Sequence, residues 1–162
     1  MWRDLVEGGL AVVHVSATAA WLGAMLYSLL VVQPRAARFF SDRDEREDFA
    51  VFLATGARWP VLALVAGLGA SGAGLVVLEL TGDQEPTAAW LALVAAKGIL
   101  LVAALALFVE VSWRLWPARL LAHVSGSDDL ARLQRRFRRV SLALTAVIAA
   151  GLVLGVVADV VR

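Results

Sequence analysis

The sequence predicts an all-α integral membrane protein that folds as a bundle of four spanning helices. Hydrophobic residues make up 60% of the 162 residues and charged residues 18%, and the mean hydropathy is +0.78. Soluble domains are usually about half apolar and about a quarter charged. The apolar residues are also grouped in four blocks, and each block reaches the roughly 20 residues that a helix needs to cross a bilayer.

The four expected spans cover about 9–32, 59–80, 87–113 and 140–161. No other segment is long enough for a separate domain, so residues 1–162 are predicted to form a single unit. The first ten residues, MWRDLVEGGL, lack the basic start and the small-residue cleavage site of a signal peptide. We therefore expect the first span to be a retained membrane helix.

The distribution of arginines predicts the orientation of the bundle. Twelve arginines lie in the two loops that follow the first and third spans, and only Arg3 and Arg162 lie near the termini. The loop between the second and third spans, TGDQEPT, has no basic residue. The positive-inside rule then places both arginine-rich loops in the cytoplasm and both termini outside, in a bacterial-type cytoplasmic (inner) membrane. We expect the arginines to contact anionic lipid, and nothing in the sequence indicates nucleic-acid binding.

Both arginine-rich loops are predicted to be helical extensions of the spans. Ser41 and Asp42, followed by Asp44 and Glu45, are typical of a helix start before the second span. The Ser-Asp-Asp stretch at 127–129 similarly predicts that the fourth helix begins near residue 128. At the inner end of the third span, Glu110 is expected to pair with Arg114 one helical turn later.

A histidine lies within the first apolar block. Ionisable residues are costly inside a bilayer and usually serve a function there, so His14 is a candidate site residue. Thr18 and Trp21 follow it at spacings of four and three residues, which places all three on one face of a helix. We therefore take His14, Thr18 and Trp21 as candidate binding residues.

Lys97 is the second isolated ionisable residue, with no other charge within ten positions on either side. Counted from the outer ends of their spans, His14 and Lys97 both lie roughly 10–15 Å below the outer surface. Glu7, one to two turns above His14, is positioned to join them. Each residue also has a structural alternative. The Lys97 ammonium group extends to the outer lipid interface, and the His14 ring only forms a hydrogen bond inside the bundle.

The residue types restrict the chemistry that His14 can support. A neutral imidazole is a ligand for heme iron, copper or zinc, but without cysteine and with only two histidines a closed structural zinc site is excluded. Met25 is about 16 Å from His14 along the helix, so one copper ion cannot bind both. What remains is heme or another tetrapyrrole with His14 as the axial metal ligand. Lys97 would then be the second ligand or the partner of a propionate.

Small residues recur at a spacing of four in two of the spans. Gly67 and Ser71 lie one turn apart in the second span, as do Gly151 and Gly155 in the fourth. Such spacing allows close helix packing, and it also leaves room for a flat ligand against the backbone.

Several short motifs resemble known families of membrane proteins. They are H-x6-WLG from His14, a proline and arginine that end the first span, Pro60 at the start of the second, W-x6-K ending at Lys97, and RRFRRVSL before the fourth. Together they resemble the membrane domain of the copper-resistance protein D (CopD-type) family. They are also similar to the HemJ-type protoporphyrinogen oxidases, which are small four-helix heme proteins.

The HemJ-type resemblance implies heme b bound by His14 and a functionally required, catalytic lysine at Lys97. The expected function is electron transfer or tetrapyrrole oxidation by a membrane oxidoreductase, with a quinone or another redox partner. The CopD-type resemblance implies copper transport instead, and as a carrier with only four spans the protein would be expected to form a homo-oligomer. A third alternative is a structural subunit in which His14 and Lys97 lock the first and third spans together.

Overall fold

The computed structural model describes residues 1–82, 85–124 and 130–160, and these residues are almost entirely helical. The α-helices are α1 (Trp2–Tyr27), α2 (Gln33–Phe39), α3 (Arg43–Leu80), α4 (Ala88–Val109), α5 (Trp116–Val124) and α6 (Leu130–Val160). Four continuous helical stretches are long and apolar enough to cross a membrane: Trp2–Phe39, Asp44–Leu80, Ala88–Ala122 and Ala131–Ala158. The predicted all-α architecture with four spanning helices is therefore confirmed.

Two of these stretches contain a short π-helical segment just before a proline. Ser28–Val32 joins α1 to α2 ahead of Pro34, and Glu110–Leu115 joins α4 to α5 ahead of Pro117. Proline has no backbone N–H and its ring clashes with the carbonyl of the preceding turn, so the helix widens locally instead of ending. Both stretches therefore continue as helices beyond the predicted ends of their spans.

The bundle consists of two helix pairs, α1 with α3 and α4 with α6, and contacts between α3 and α4 are sparse. The side chain of Arg3 donates to the carbonyls of Leu78 and Thr81 at the last turn of α3, which places the start of α1 beside the end of α3. A cation at a helix C-terminus satisfies carbonyls that have no partner within the helix. We call the end of the bundle that contains Arg3 the outer end, following the predicted orientation.

The hydrophobic core lies toward the opposite, inner end. Its buried residues come from all four spanning helices: Ala17, Trp21, Val61, Val65, Leu68, Ala104, Phe108, Leu144 and Ile148. We call this set the core cluster. It holds the two helix pairs together below the level of His14.

A buried ion pair fastens the helical extensions to each other at the inner end. Glu47 of α3 is 3% exposed, and it accepts two hydrogen bonds from the Arg119 guanidinium of α5, at 2.9 and 2.7 Å. Gln134 of α6 donates a third at 3.1 Å, and the guanidinium stacks on the rings of Trp116 and Phe137. Three helices thus meet at one carboxylate, an arrangement that the sequence pattern does not predict.

The local predictions for this end have different outcomes. The Asp42 side chain accepts a hydrogen bond from the Asp44 backbone N–H at 3.1 Å, so the predicted helix start is confirmed. Glu110 pairs with Arg114 at 3.3 Å as expected, and it also pairs with Arg136 of α6 at 2.8 Å. The predicted cap at 127–129 lies outside the described residues.

Candidate ligand-binding cavity

A cavity of about 660 Å³ separates the two helix pairs in the outer half of the bundle. All four spanning helices contribute to its walls, which are mostly apolar. The cavity extends from Glu7 and Glu79 near the outer end down to Trp21 and Leu68, which belong to the core cluster. Cofactor and ligand sites usually enclose roughly 300–1,000 Å³ between mostly apolar walls with a few polar groups, and this cavity has that character.

His14 lies on the cavity wall, and a hydrogen bond fixes its ring. Its Nδ1 atom is 3.1 Å from the Ser71 Oγ of α3, while the Ser71 hydroxyl donates to the Gly67 carbonyl at 2.7 Å. A hydroxyl has a single hydrogen, so with that bond formed Ser71 accepts from the imidazole. When the Ser71 hydrogen stays in that bond, the imidazole donates from Nδ1 and carries its lone pair on Nε2, the arrangement typical of metal-ligating histidines.

A glycine provides the space that the imidazole occupies. A Cβ atom at Gly72 would lie 3.0 Å from His14 Cε1 and 3.3 Å from Nδ1. The ring therefore packs directly against the backbone of α3, one residue beyond its partner Ser71. Any side chain at position 72 would displace the imidazole or separate the two helices.

Thr18 and Trp21 share the cavity wall with His14, as their spacing predicts. The Thr18 hydroxyl donates to the His14 carbonyl at 2.9 Å, so it stabilises the turn that carries the histidine. Trp21 is 1% exposed, and its Nε1 has no hydrogen-bond partner in the described part of the chain. Leaving such a buried donor unsatisfied costs about 1–3 kcal/mol. The binding roles of both residues stay predictions.

Lys97 also lines the cavity, from the α4 side. Its side chain is partly buried, and its Nζ atom lies 3.6 Å from the position of a Cβ on Gly155 of α6. Across residues 1–82, 85–124 and 130–160 no hydrogen bond or ion pair to Lys97 is found. The ammonium group thus reaches across to α6 inside the bundle, and it faces the same cavity as His14.

The outer rim of the cavity contains two acidic side chains and a tryptophan. Glu7 of α1, Glu79 of α3 and Trp90 of α4 line this end, and Glu7 therefore joins the candidate site as expected. Tryptophans near the ends of spans are typical of the lipid interface, and all five such residues here (Trp2, Trp59, Trp90, Trp113 and Trp116) would be expected there. Trp2, Trp59 and Trp113 are exposed, whereas Trp90 and Trp116 are buried inside the bundle, so the expectation is wrong for these two.

One feature of this site is not predictable from the sequence. Ser71 is separated from His14 by 57 positions, and only its place in a row of small residues draws attention to it. Within the described residues no three His, Asp or Glu side chains lie close enough together to hold a metal ion. The side chain of the other histidine, His123, lies outside the described part of the structure.

Comparison of the chain with protein-family models, with curated proteins and with solved structures finds no match. The resemblance to the CopD-type and HemJ-type families therefore remains a prediction from the motifs.

Proposed function

We propose that this protein binds heme b in the cavity, with His14 as an axial ligand of the iron, and that it acts in electron transfer or tetrapyrrole oxidation. The observation that carries the proposal is the hydrogen bond between His14 Nδ1 and Ser71 Oγ on the cavity wall. Histidines that bind metals characteristically donate their other ring N–H to a fixed acceptor. Ser71 provides such an acceptor from a neighbouring helix.

The shape of the cavity is compatible with a flat macrocycle. Its volume of about 660 Å³ is within the usual range for cofactor sites. Glycines from three helices line its walls: Gly69, Gly72, Gly98, Gly151 and Gly155. At Gly98 and Gly151 an added Cβ would meet nothing within 4 Å, so these walls leave room for a ligand beside the backbone.

Lys97 supplies the positive charge that the carboxylates of such a ligand require. A charged group at this depth is costly unless an opposite charge or a polar cavity compensates it. We propose that Lys97 pairs with a propionate and holds the ligand in one orientation. Ser71 holds the His14 ring, and the core cluster excludes water from the inner end of the site.

Heme, when bound, supplies one-electron chemistry at its iron. A quinone dissolved in the bilayer is the electron acceptor that we propose, in a multi-pass protein of the bacterial inner membrane.

The first experiment is a reduced-minus-oxidised absorption spectrum of the detergent-purified protein. We expect a Soret band and a b-type α band, both lost in His14→Ala. The matched control is His123→Ala, which removes the only other histidine and should keep both bands. A colourless wild-type protein that also takes up no added hemin would refute the proposal.

A structural role for His14 is the second candidate, favoured by the same hydrogen bond because it joins α1 to α3. In that case His14→Ala lowers the unfolding temperature of a colourless protein. Under the heme proposal, stability and pigment change together, and added hemin raises the unfolding temperature of the wild type alone.

A further inference from the structure

Within residues 1–82, 85–124 and 130–160, the lining of the cavity reaches only one end of the bundle. Its lining begins close to the outer ends of all four spanning helices, at Glu7, Glu79, Trp90 and Ala158. These residues lie within about two turns of the beginning of α1 and α4 or the end of α3 and α6. The gap between the helix pairs therefore extends from the rim to the level of Trp21.

Below that level the bundle is closed. Trp21, Leu68, Ala104 and Ile148 form the lower cavity wall and belong to the core cluster as well. Val61, Val65, Phe108 and Leu144 continue the packed core toward the inner end. The buried pair of Glu47 and Arg119 then binds α3, α5 and α6 together at the inner surface. Close-packed interiors of this kind leave few voids that a solute could use.

From this asymmetry we infer that water-soluble molecules reach the cavity from the outer end of the bundle, across the rim formed by Glu7, Glu79 and Trp90. Water-soluble redox partners of the site would then act from that side. The identity of the bound ligand rests on the proposed function, whereas the access route rests on the shape of the bundle.

The chain contains no cysteine, so single cysteines can report access without background. Gly151→Cys places a thiol in the cavity, where an added Cβ meets nothing within 4 Å. Gly67→Cys is the matched control, because it has the same free space but lies outside the cavity lining. Glu85→Cys and Asp48→Cys, both at exposed positions, mark the outer and inner ends.

The variants are treated in sealed membrane vesicles with a membrane-impermeant thiosulfonate. We expect Gly151→Cys to react from the same side as Glu85→Cys, and at least tenfold faster than Gly67→Cys. Reaction of Gly151→Cys from the Asp48→Cys side would overturn the inference. So would reaction with a lipid-soluble maleimide alone, because that result would indicate lateral entry from the bilayer.

Hemin separates this inference from the proposed function. If the outer access route and heme binding are both correct, loading with hemin slows the labelling of Gly151→Cys at least tenfold and leaves the labelling rate of Glu85→Cys unchanged. Outer-side labelling without protection by hemin, together with failure of the wild-type protein to take up hemin, would support the access route and count against heme as the ligand.

Discussion

His14 Nδ1 and Ser71 Oγ lie 3.1 Å apart, although 57 positions separate the two residues in the sequence. The contact joins α1 to α3 at the cavity wall, and the second hydrogen bond of Ser71, to the Gly67 carbonyl, fixes the direction in which it accepts. One hydroxyl thus holds the orientation of the imidazole, and its bond to Gly67 favours the tautomer with the hydrogen on Nδ1.

Ser71→Ala should weaken heme binding by about 10–100-fold, the usual effect of removing the partner of a metal-ligating histidine. Hemin titration of the purified protein measures this change. Thr145→Val is the control, because it loses an equivalent bond to the carbonyl four residues earlier but does not line the cavity. Equal losses of affinity in the two variants would contradict the orienting role of Ser71.

Gly72→Ala should displace the His14 ring, because its methyl group would lie 3.0 Å from Cε1. We expect hemin affinity to fall at least tenfold, with a change in the ligand-sensitive absorption bands. Gly69→Ala adds the same methyl group to the cavity lining, but its nearest neighbour is a Leu101 methyl carbon at 4.0 Å. If both variants bind hemin equally well, the close contact of the ring with α3 is unimportant for binding.

Lys97→Met should reduce the preference for a ligand that has free carboxylates. The methionine keeps an unbranched side chain and removes the charge, and a charge-assisted hydrogen bond is worth about 1.5–3 kcal/mol. Wild-type protein should therefore bind hemin more tightly than its dimethyl ester, and Lys97→Met should bind both alike. An unchanged preference in Lys97→Met would show that Lys97 does not recognise a propionate.

Glu47→Gln should destabilise the fold by about 3–5 kcal/mol, because it leaves the Arg119 charge buried without its carboxylate. Denaturant unfolding in detergent measures the difference in the free energy of unfolding. Glu110→Gln is the comparison: its partners Arg114 and Arg136 are largely exposed, so a loss below about 1 kcal/mol is expected. Similar losses of unfolding free energy in both variants would mean that burial of the pair between Glu47 and Arg119 adds nothing to its effect on stability.

The length of the apolar blocks was sufficient to predict the four spans, and spacing within one helix predicted the shared face of His14, Thr18 and Trp21. They also predicted the Asp42 cap and the pair of Glu110 with Arg114, since both form within about one helical turn. The two long-range contacts, between His14 and Ser71 and between Glu47 and Arg119, were not predictable in this way. Glu47 meets Arg119 72 positions away, and such a contact depends on how helices pack rather than on spacing within either helix.

Tryptophan positions show the same limit. A tryptophan near the end of a span is typical of the lipid interface, and Trp59 is indeed 79% exposed. Trp90 lies equally near a span end but is buried at the cavity rim. Sequence position gives the depth of such a residue along the membrane normal, whereas the rotation of the helix decides whether it faces lipid or the interior.

The packed inner half of the bundle has an electrical consequence. An applied transmembrane voltage falls across the layer that excludes water and ions, here the core cluster and the packing beneath it. A full crossing of this field is worth about 2.3 kcal/mol per elementary charge at 100 mV. With the outer access inferred above and water in the unliganded cavity, charges that enter or change there would traverse only a small part of this field. The equilibria of this site should therefore respond weakly to membrane potential, even though His14 and Lys97 lie in the spanning helices.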